Sequence, residues 1–322
     1  MKSFWKIVYM SVFVVHLAWS DDARPLKVAF WNVENLFDLI DDPKKNDNEF
    51  AVGGKKNVTQ EIYALKLVHS AEVLADLDAD ILGICEVENR FMMEELNKAF
   101  TGRNYKIIHY DSPDRRGIDC ALFYDESKFT VLESKQIKNI LSSGKPTRDI
   151  VYVKGQFGGE ILHVFVNHWP SNYGGREQAI PKRAETARFV REKVEKILNE
   201  DPKAEILLMG DFNEGPSEQN IQYLAKDILI NLMEPFTGKK GVGTYVYRGQ
   251  DSLLDQFIAS SGLLDDQGLK IEDNAVSILD LPKYRQQRGK YKHYPFRFWA
   301  GEKLLGGYSD HLAISVEINL IQ

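Results

Sequence analysis

Five short apolar runs in this chain end or begin on a side chain that can do chemistry. Asn32 follows residues 28–31, Glu86 follows 81–85, His168 follows 162–167, Asp211 follows 206–210, and Asp310 with His311 stands just before 312–318. Carboxylate and amide oxygens suit hard divalent cations, and imidazoles carry protons near neutral pH. Together they make a kit for metal binding combined with general acid–base catalysis. One such residue alone is an ordinary loop start. Five placed alike predict strand ends that converge at one sheet edge, where ligand groups gather.

The elements that must position them follow from the apolar patterning. Runs at 26–31, 81–85, 105–110, 118–124, 130–132, 161–167, 206–209, 253–259 and 312–318 read as strands. Residues 59–77 place Ile62, Leu65, Val68, Val73 and Leu77 close to helical spacing, and 181–199 place Ala184, Ala187, Val190, Val194 and Ile197 at intervals of three and four. Residues 41–50 are polar and read as a loop. Strands and helices mix throughout, without a repeat or a linker. One domain over 21–322 is expected, with sheets at the centre and helices outside.

The polar strand ends sit inside longer motifs. In order these are Trp31-Asn32-Val33-Glu34-Asn35-Leu36-Phe37, Cys85-Glu86-Val87-Glu88-Asn89, Gly117-Ile118-Asp119-Cys120-Ala121-Leu122, Asn167-His168-Trp169-Pro170-Ser171, Gly210-Asp211-Phe212-Asn213, Leu254-Asp255 and Ser309-Asp310-His311. The set resembles the endonuclease/exonuclease/phosphatase superfamily, which includes deoxyribonuclease I. It spans residues 26–318. The extended first, second and fourth motifs look like the secreted bacterial branch. The resemblance implies an α/β four-layer sandwich: two packed mixed β-sheets flanked by helices, with the site at one edge.

The resemblance also implies roles. Asn32, Glu86 and Asp310 would hold a metal, Mg²⁺ or Mn²⁺, with Glu34 as an outer ligand. Asp211 would orient the attacking water or a second metal, and Asn213 would hold a phosphate oxygen. His311 would be the general base or a phosphate contact, with Asp255 on its other ring nitrogen. His168 would be a second imidazole on the phosphate. Arg116, and more weakly Arg176, would clamp phosphate as bidentate guanidinium donors. Glu88 is expected to support structure. Ca²⁺ is a further cofactor candidate, but the acidic 41–49 loop lacks the spacing of a calcium loop and reads as solvated.

The reaction implied is attack of an activated water on phosphorus; the substrate is a separate question. Residues 281–303 carry seven basic side chains against Glu302 alone, and interleave Tyr284, Tyr291, Tyr294, Phe296, Phe298 and Trp299. Basic groups pair with phosphates and aromatic rings stack on bases. This favours a nuclease on DNA, with RNA as a further substrate. The alternatives are a phosphatase or lipid phosphodiesterase acting on inositol phosphate or sphingomyelin, and a catalytically inactive binding protein.

The 322 residues carry a net charge of −6 and are 43% hydrophobic, which excludes a disordered or uniformly basic protein. Residues 1–20 read as a signal peptide: Lys2 and Lys6, an apolar run, then Ala18-Trp19-Ser20. Its removal would leave −8, with the positive charge concentrated beside the site. A secreted or periplasmic monomer without stable membrane association is expected. Cys85 and Cys120 read as two buried thiols, with one disulfide as the alternative.

Overall fold

A computed structural model describes residues 24–321, so the signal-peptide reading of 1–20 lies outside the described residues. The first sheet comprises β1 (Leu26–Leu36), β2 (Ile81–Val87), β3 (Lys106–His109), β4 (Asp119–Tyr124), β13 (Leu269–Lys270), β14 (Ser277–Ile278) and β17 (Ile314–Leu320). Its order is β13-β17-β1-β2-β4-β3, with β14 also on β17. The second comprises β5 (Thr130–Ile137), β6 (Ile150–Phe157), β7 (Glu160–His168), β8 (Glu205–Asp211), β9 (Leu229–Asn231) and β12 (Asp255–Ser260), ordered β5-β6-β7-β8-β12-β9. Both are mixed: β1 runs parallel to β2 and β7 parallel to β8, among antiparallel neighbours.

Strand alternation builds the layers. Val28 and Phe30 of β1 face inward and pack with Val164, Val166, Leu207 and Met209 of the other sheet. Their neighbours Ala29 and Trp31 face outward, under Leu67 and Leu74 of α1 (Gln60–Leu77) and Met92 of α2 (Arg90–Ala99). The second sheet carries α3 (Arg176–Glu200) and α4 (Gln219–Ala225) on its outer face, joined through Val190, Val194, Ile206 and Leu224. The result is helix, sheet, sheet, helix.

Most predicted strands and α1 are found where expected; Thr59 caps α1 by accepting from the Ile62 N–H. The second predicted helix begins at Arg176, five residues before Pro181, directly after Gly174 and Gly175 at positive φ. Pro181 thus lies inside the helix, where it removes one i→i−4 hydrogen bond. β6 and α2 were not read from the sequence. Cys85 and Cys120 are free, buried and directly opposite on β2 and β4. No helix among the described residues is long and apolar enough to cross a membrane.

Candidate active site

The predicted residues converge at the edge where β2, β7 and β8 end and β12 begins. Asp211 is the last residue of β8, paired with His168 on β7 and with Asp255 on β12. Close packing just before it depends on Gly210, where any Cβ would collide with the Asn167 carbonyl. Glu86 is turned by a register shift between Cys85 and Val87 and has a positive φ of 66°. A bulge of this kind re-aims a side chain that regular pleating would send elsewhere. Glu34, Asn35 and Asn213 also have positive φ, so four strained backbone positions cluster here.

Asp211 sits at the centre. Its Oδ1 accepts from the Asn213 N–H at 2.9 Å, and its Oδ2 accepts from Asn32 Nδ2 at 3.1 Å. The same Oδ2 lies 3.6 Å from His168 Nε2 and 3.9 Å from His311 Nε2. Burial pushes the Asp211 carboxyl up to about 7, Asp255 adds to this, and His311 opposes it. His311 Nδ1 lies 2.7 Å from Asp255 Oδ2, and its backbone N–H donates to Ser309 Oγ, which donates to the Asn32 carbonyl.

The two imidazoles are tuned in opposite directions. Burial and the nearby Arg148, Arg116 and His311 hold His168 well below the usual imidazole range. Burial also disfavours charge on His311, but Asp255 and Asp211 outweigh it and hold that ring well above the usual range. The two shifts favour the neutral form of His168 and the charged form of His311. His168 Nδ1 is buried with no partner. Because an unpaired buried N–H is rarer than an unpaired acceptor, this favours the tautomer that carries its proton on Nε2, toward Glu86 and Asp211.

Glu86 Oε2 accepts from the Asn35 N–H. Its Oε1 has only longer approaches, from Arg116 at 3.8 Å and His168 at 3.9 Å. A carboxylate oxygen presented without a close donor, in the electrostatic reach of Asp211, is a hard ligand that fits a divalent cation. Distances alone would also let Asp211, Asp255 and His311 share a metal. The short His311–Asp255 bond makes that trio a proton-holding dyad with its partner instead. Arg116 is placed by the acidic loop: Asn46 N–H donates to the Arg115 carbonyl, and Lys45 Nζ donates to the Ser112 and Asp114 carbonyls. That loop is thus docked as a buttress.

Several expectations are corrected. Glu34 is not free to serve as an outer metal ligand. Its oxygens accept from the Phe298 and Trp299 N–H groups at 2.6 and 3.0 Å, so it anchors that segment to β1. The Asn32 amide oxygen already accepts from the Glu34 N–H, which occupies one of its two lone pairs, while its nitrogen steadies Asp211. Asp310 is engaged by Arg297 Nη2 at 2.8 Å. Asn213 Nδ2 donates to the Trp169 carbonyl at 3.1 Å. Arg176 does not reach the cluster; it pairs with Glu218. In the 281–303 stretch Tyr284, Phe298 and Trp299 are buried in the core and cannot stack on bases.

Three contributors were missed. Arg148 is buried, donates to the Trp169 carbonyl at 2.6 Å and adds positive charge behind His168. It precedes the apolar run 150–153, the same strand-edge signal as the others. Tyr245 lies over His311, with ring centroids 4.8 Å apart. Alternation at 243–247 before Arg248-Gly249 marked a hairpin. Arg183 is buried against Glu214 at 2.8 Å and donates to the Pro170 carbonyl, bracing the loops behind Asp211.

The match to the Endonuclease/Exonuclease/phosphatase family covers residues 27–320, and the chain belongs to that family. Its members are in general phosphoric-ester hydrolases that use divalent metals, and the fold is deoxyribonuclease I-like. Among solved structures, a zebrafish (D. rerio) TDP2 complexed with a single-strand DNA product superposes with a TM-score of 0.60 at 15% identity, over 92% of this chain and 99% of that one. The human nocturnin catalytic domain with a bound sulfate gives 0.59 at 18% identity, covering 92% and 94%. A mannosyl-6-phosphatase of Bacteroides thetaiotaomicron gives 0.59 at 20% identity, covering 91% and 99%. No curated protein matches the sequence.

Proposed function

We propose that this chain is a secreted, Mg²⁺- or Mn²⁺-dependent nuclease that cuts DNA. The observation that carries the hydrolytic reading is the convergence on Asp211 of two imidazoles in opposite protonation states, with Glu86 and Arg116 alongside. Environments that push titratable groups apart separate acid from base. Glu86, with the Asp310 carboxylate that Arg297 also contacts, would hold a divalent cation, which would supply charge neutralisation at a phosphoryl oxygen.

The chain's own residues do the rest. Asp211, its carboxylate fixed by Asn32 and the Asn213 N–H, takes a proton from the attacking water as the P–O bond to the leaving oxygen breaks, and that oxygen takes a proton from solvent. His311, kept charged and oriented by Asp255, stabilises the phosphate's developing charge. His168 donates its Nε2–H to a phosphate oxygen, and Arg116 adds a guanidinium.

Two features support nucleic acid as substrate. Arg297 of the basic 281–303 segment pairs with Asp310, so one guanidinium of that segment lies against the site. The 1–20 segment supports export, where a scavenging nuclease would work. A phosphomonoesterase is the second reading, favoured by the two half-exposed guanidiniums of Arg116 and Arg297 flanking Glu86 and Asp310. Incubation with plasmid DNA, RNA, sphingomyelin and inositol phosphates, with Mg²⁺ or EDTA, separates them. Nucleic acid should be cut only with metal, and less as salt rises. Phosphate release from small esters without any cut in nucleic acid would overturn the nuclease.

A further inference from the structure

Outside both sheets, β10 (Tyr245–Tyr247) and β11 (Gln250–Ser252) form a two-stranded hairpin. Its root is tied to the His311–Asp255 pair. The Leu312 N–H donates to the Thr244 carbonyl, the Asp255 N–H donates to Thr244 Oγ1, and Tyr245 bridges to His311. Side chains two apart on a strand share a face. Tyr247 therefore continues, away from the site, the face on which Tyr245 covers His311. Tyr247 is 57% exposed.

The turn that closes this hairpin is unusual in its residues. Arg248 and Gly249 both have positive φ, 49° and 83°. Two-residue hairpin turns with that geometry prefer Asn-Gly or Asp-Gly, because a left-handed backbone is costly for a residue with a long side chain. Here the Arg248 guanidinium lies over the Tyr247 ring, 5.2 Å from its centroid. Strained backbone that persists at an exposed tip points to use. On the hairpin's other face a groove of about 540 Å³ carries Lys240 and Lys292. Its acids are already engaged, Asp251 by the Gly241 N–H and Asp280 by Arg285. The surroundings of the tip thus favour an anionic chain.

We infer that the outer face of β10 is a base-stacking subsite, in which Tyr247 takes the face of an unpaired base beside the scissile phosphate and Arg248 meets the next phosphate. The inference rests on the nuclease reading and adds to it a preference for strands that are unpaired at the cut. A ring can stack on a base only when the base's face is free, which a paired and stacked duplex does not offer.

The test uses the whole protein with Mg²⁺ and two single-stranded oligonucleotides, each with one cleavable phosphodiester. One is ordinary, and the other lacks the base flanking the cut. The wild type should favour the ordinary strand in kcat/KM by about tenfold, the order expected for one stacked base. Tyr247→Ala should lose that preference and Tyr247→Phe should keep it, with the same pattern in fluorescence-anisotropy binding measured in EDTA. A Tyr247→Ala variant with the wild-type preference overturns the subsite and leaves the nuclease standing. A Tyr247→Ala defect confined to turnover of a hexose 6-phosphate assigns the ring to a sugar and also overturns it. A wild type that cuts plasmid DNA but neither strand overturns the subsite alone, and one that cuts neither the plasmid nor either strand overturns the nuclease and the subsite together.

Discussion

Strand β8 carries a buried carboxylate at each end, and the two have different company. Glu205 at its start and Asp211 at its end are both pushed up to about 7, in each case first by burial. Around Glu205 the other charges are acids: Glu160, Asp265 and Asp201. It accepts from the Leu269 N–H, and its Oε2 has no partner. Around Asp211 stand two imidazoles, an amide and a second acid with opposed effects. A perturbed carboxylate is therefore not a site in itself. What distinguishes the Asp211 end is convergence of groups with complementary roles on one point.

That contrast can be broken most sharply by removing the convergent groups. Glu86→Gln, Asp211→Asn and His311→Ala should each lower kcat by about 10³-fold, the scale for losing a group that acts in the transition state. Glu205→Gln should leave turnover within about twofold. Equal losses at both ends of β8, read from initial rates, would show that the contrast is one of stability alone.

The next effect concerns what braces the Asp211 end. Arg183 and Glu214 form a fully buried ion pair. Arg183→Met leaves a buried carboxylate uncompensated and should cost about 3–5 kcal/mol in urea unfolding. A loss below 1 kcal/mol would remove the bracing role. Smaller again is the difference between two arginines. Arg116→Ala should raise KM about tenfold through loss of a charge-assisted phosphate contact, whereas Arg176→Ala, already paired with Glu218, should not.

The smallest effect is a pH dependence at the other end of the strand. The Glu205 carboxyl is raised from a usual 4.5 to about 7, so the folded state binds its proton more tightly than the unfolded state. Its contribution is most favourable below pH 4.5, and it is lost as pH rises to about 7. Glu205→Gln should therefore stabilise the protein at pH 8 by about 1–2 kcal/mol, after allowance for solvent screening at a groove-lining group. It should change little at pH 4. A gain independent of pH, measured by thermal melts, would contradict the burial account.

Much of the site was legible because its residues cap apolar strands, a pattern that survives in linear form. Asn32, Glu86, His168, Asp211, Asp255 and His311 meet as their positions suggested. What could not be read was which atom each residue turns toward its neighbours. Glu34 looked like a ligand, but the Phe298 and Trp299 N–H groups, far away in sequence, claim its oxygens, and the Asn32 amide oxygen already accepts from the Glu34 N–H. Arg176 lies in an early helical turn that points it to Glu218, a long-range pairing without a sequence signature. β6 lies inside its sheet between β5 and β7, and its first four residues are all buried, so it lacks the clean alternation of a strand with one solvated face. The aromatics of 281–303 show the limit of composition: the same residue types line the core and the surface, and only packing decides between them.

The most direct test is plasmid nicking by wild type and Glu86→Gln, each with Mg²⁺ and with excess EDTA. The account predicts nicking by the wild type with Mg²⁺ alone, and loss of it in Glu86→Gln. Nicking that persists under chelation, or that Glu86→Gln retains in full, would contradict it.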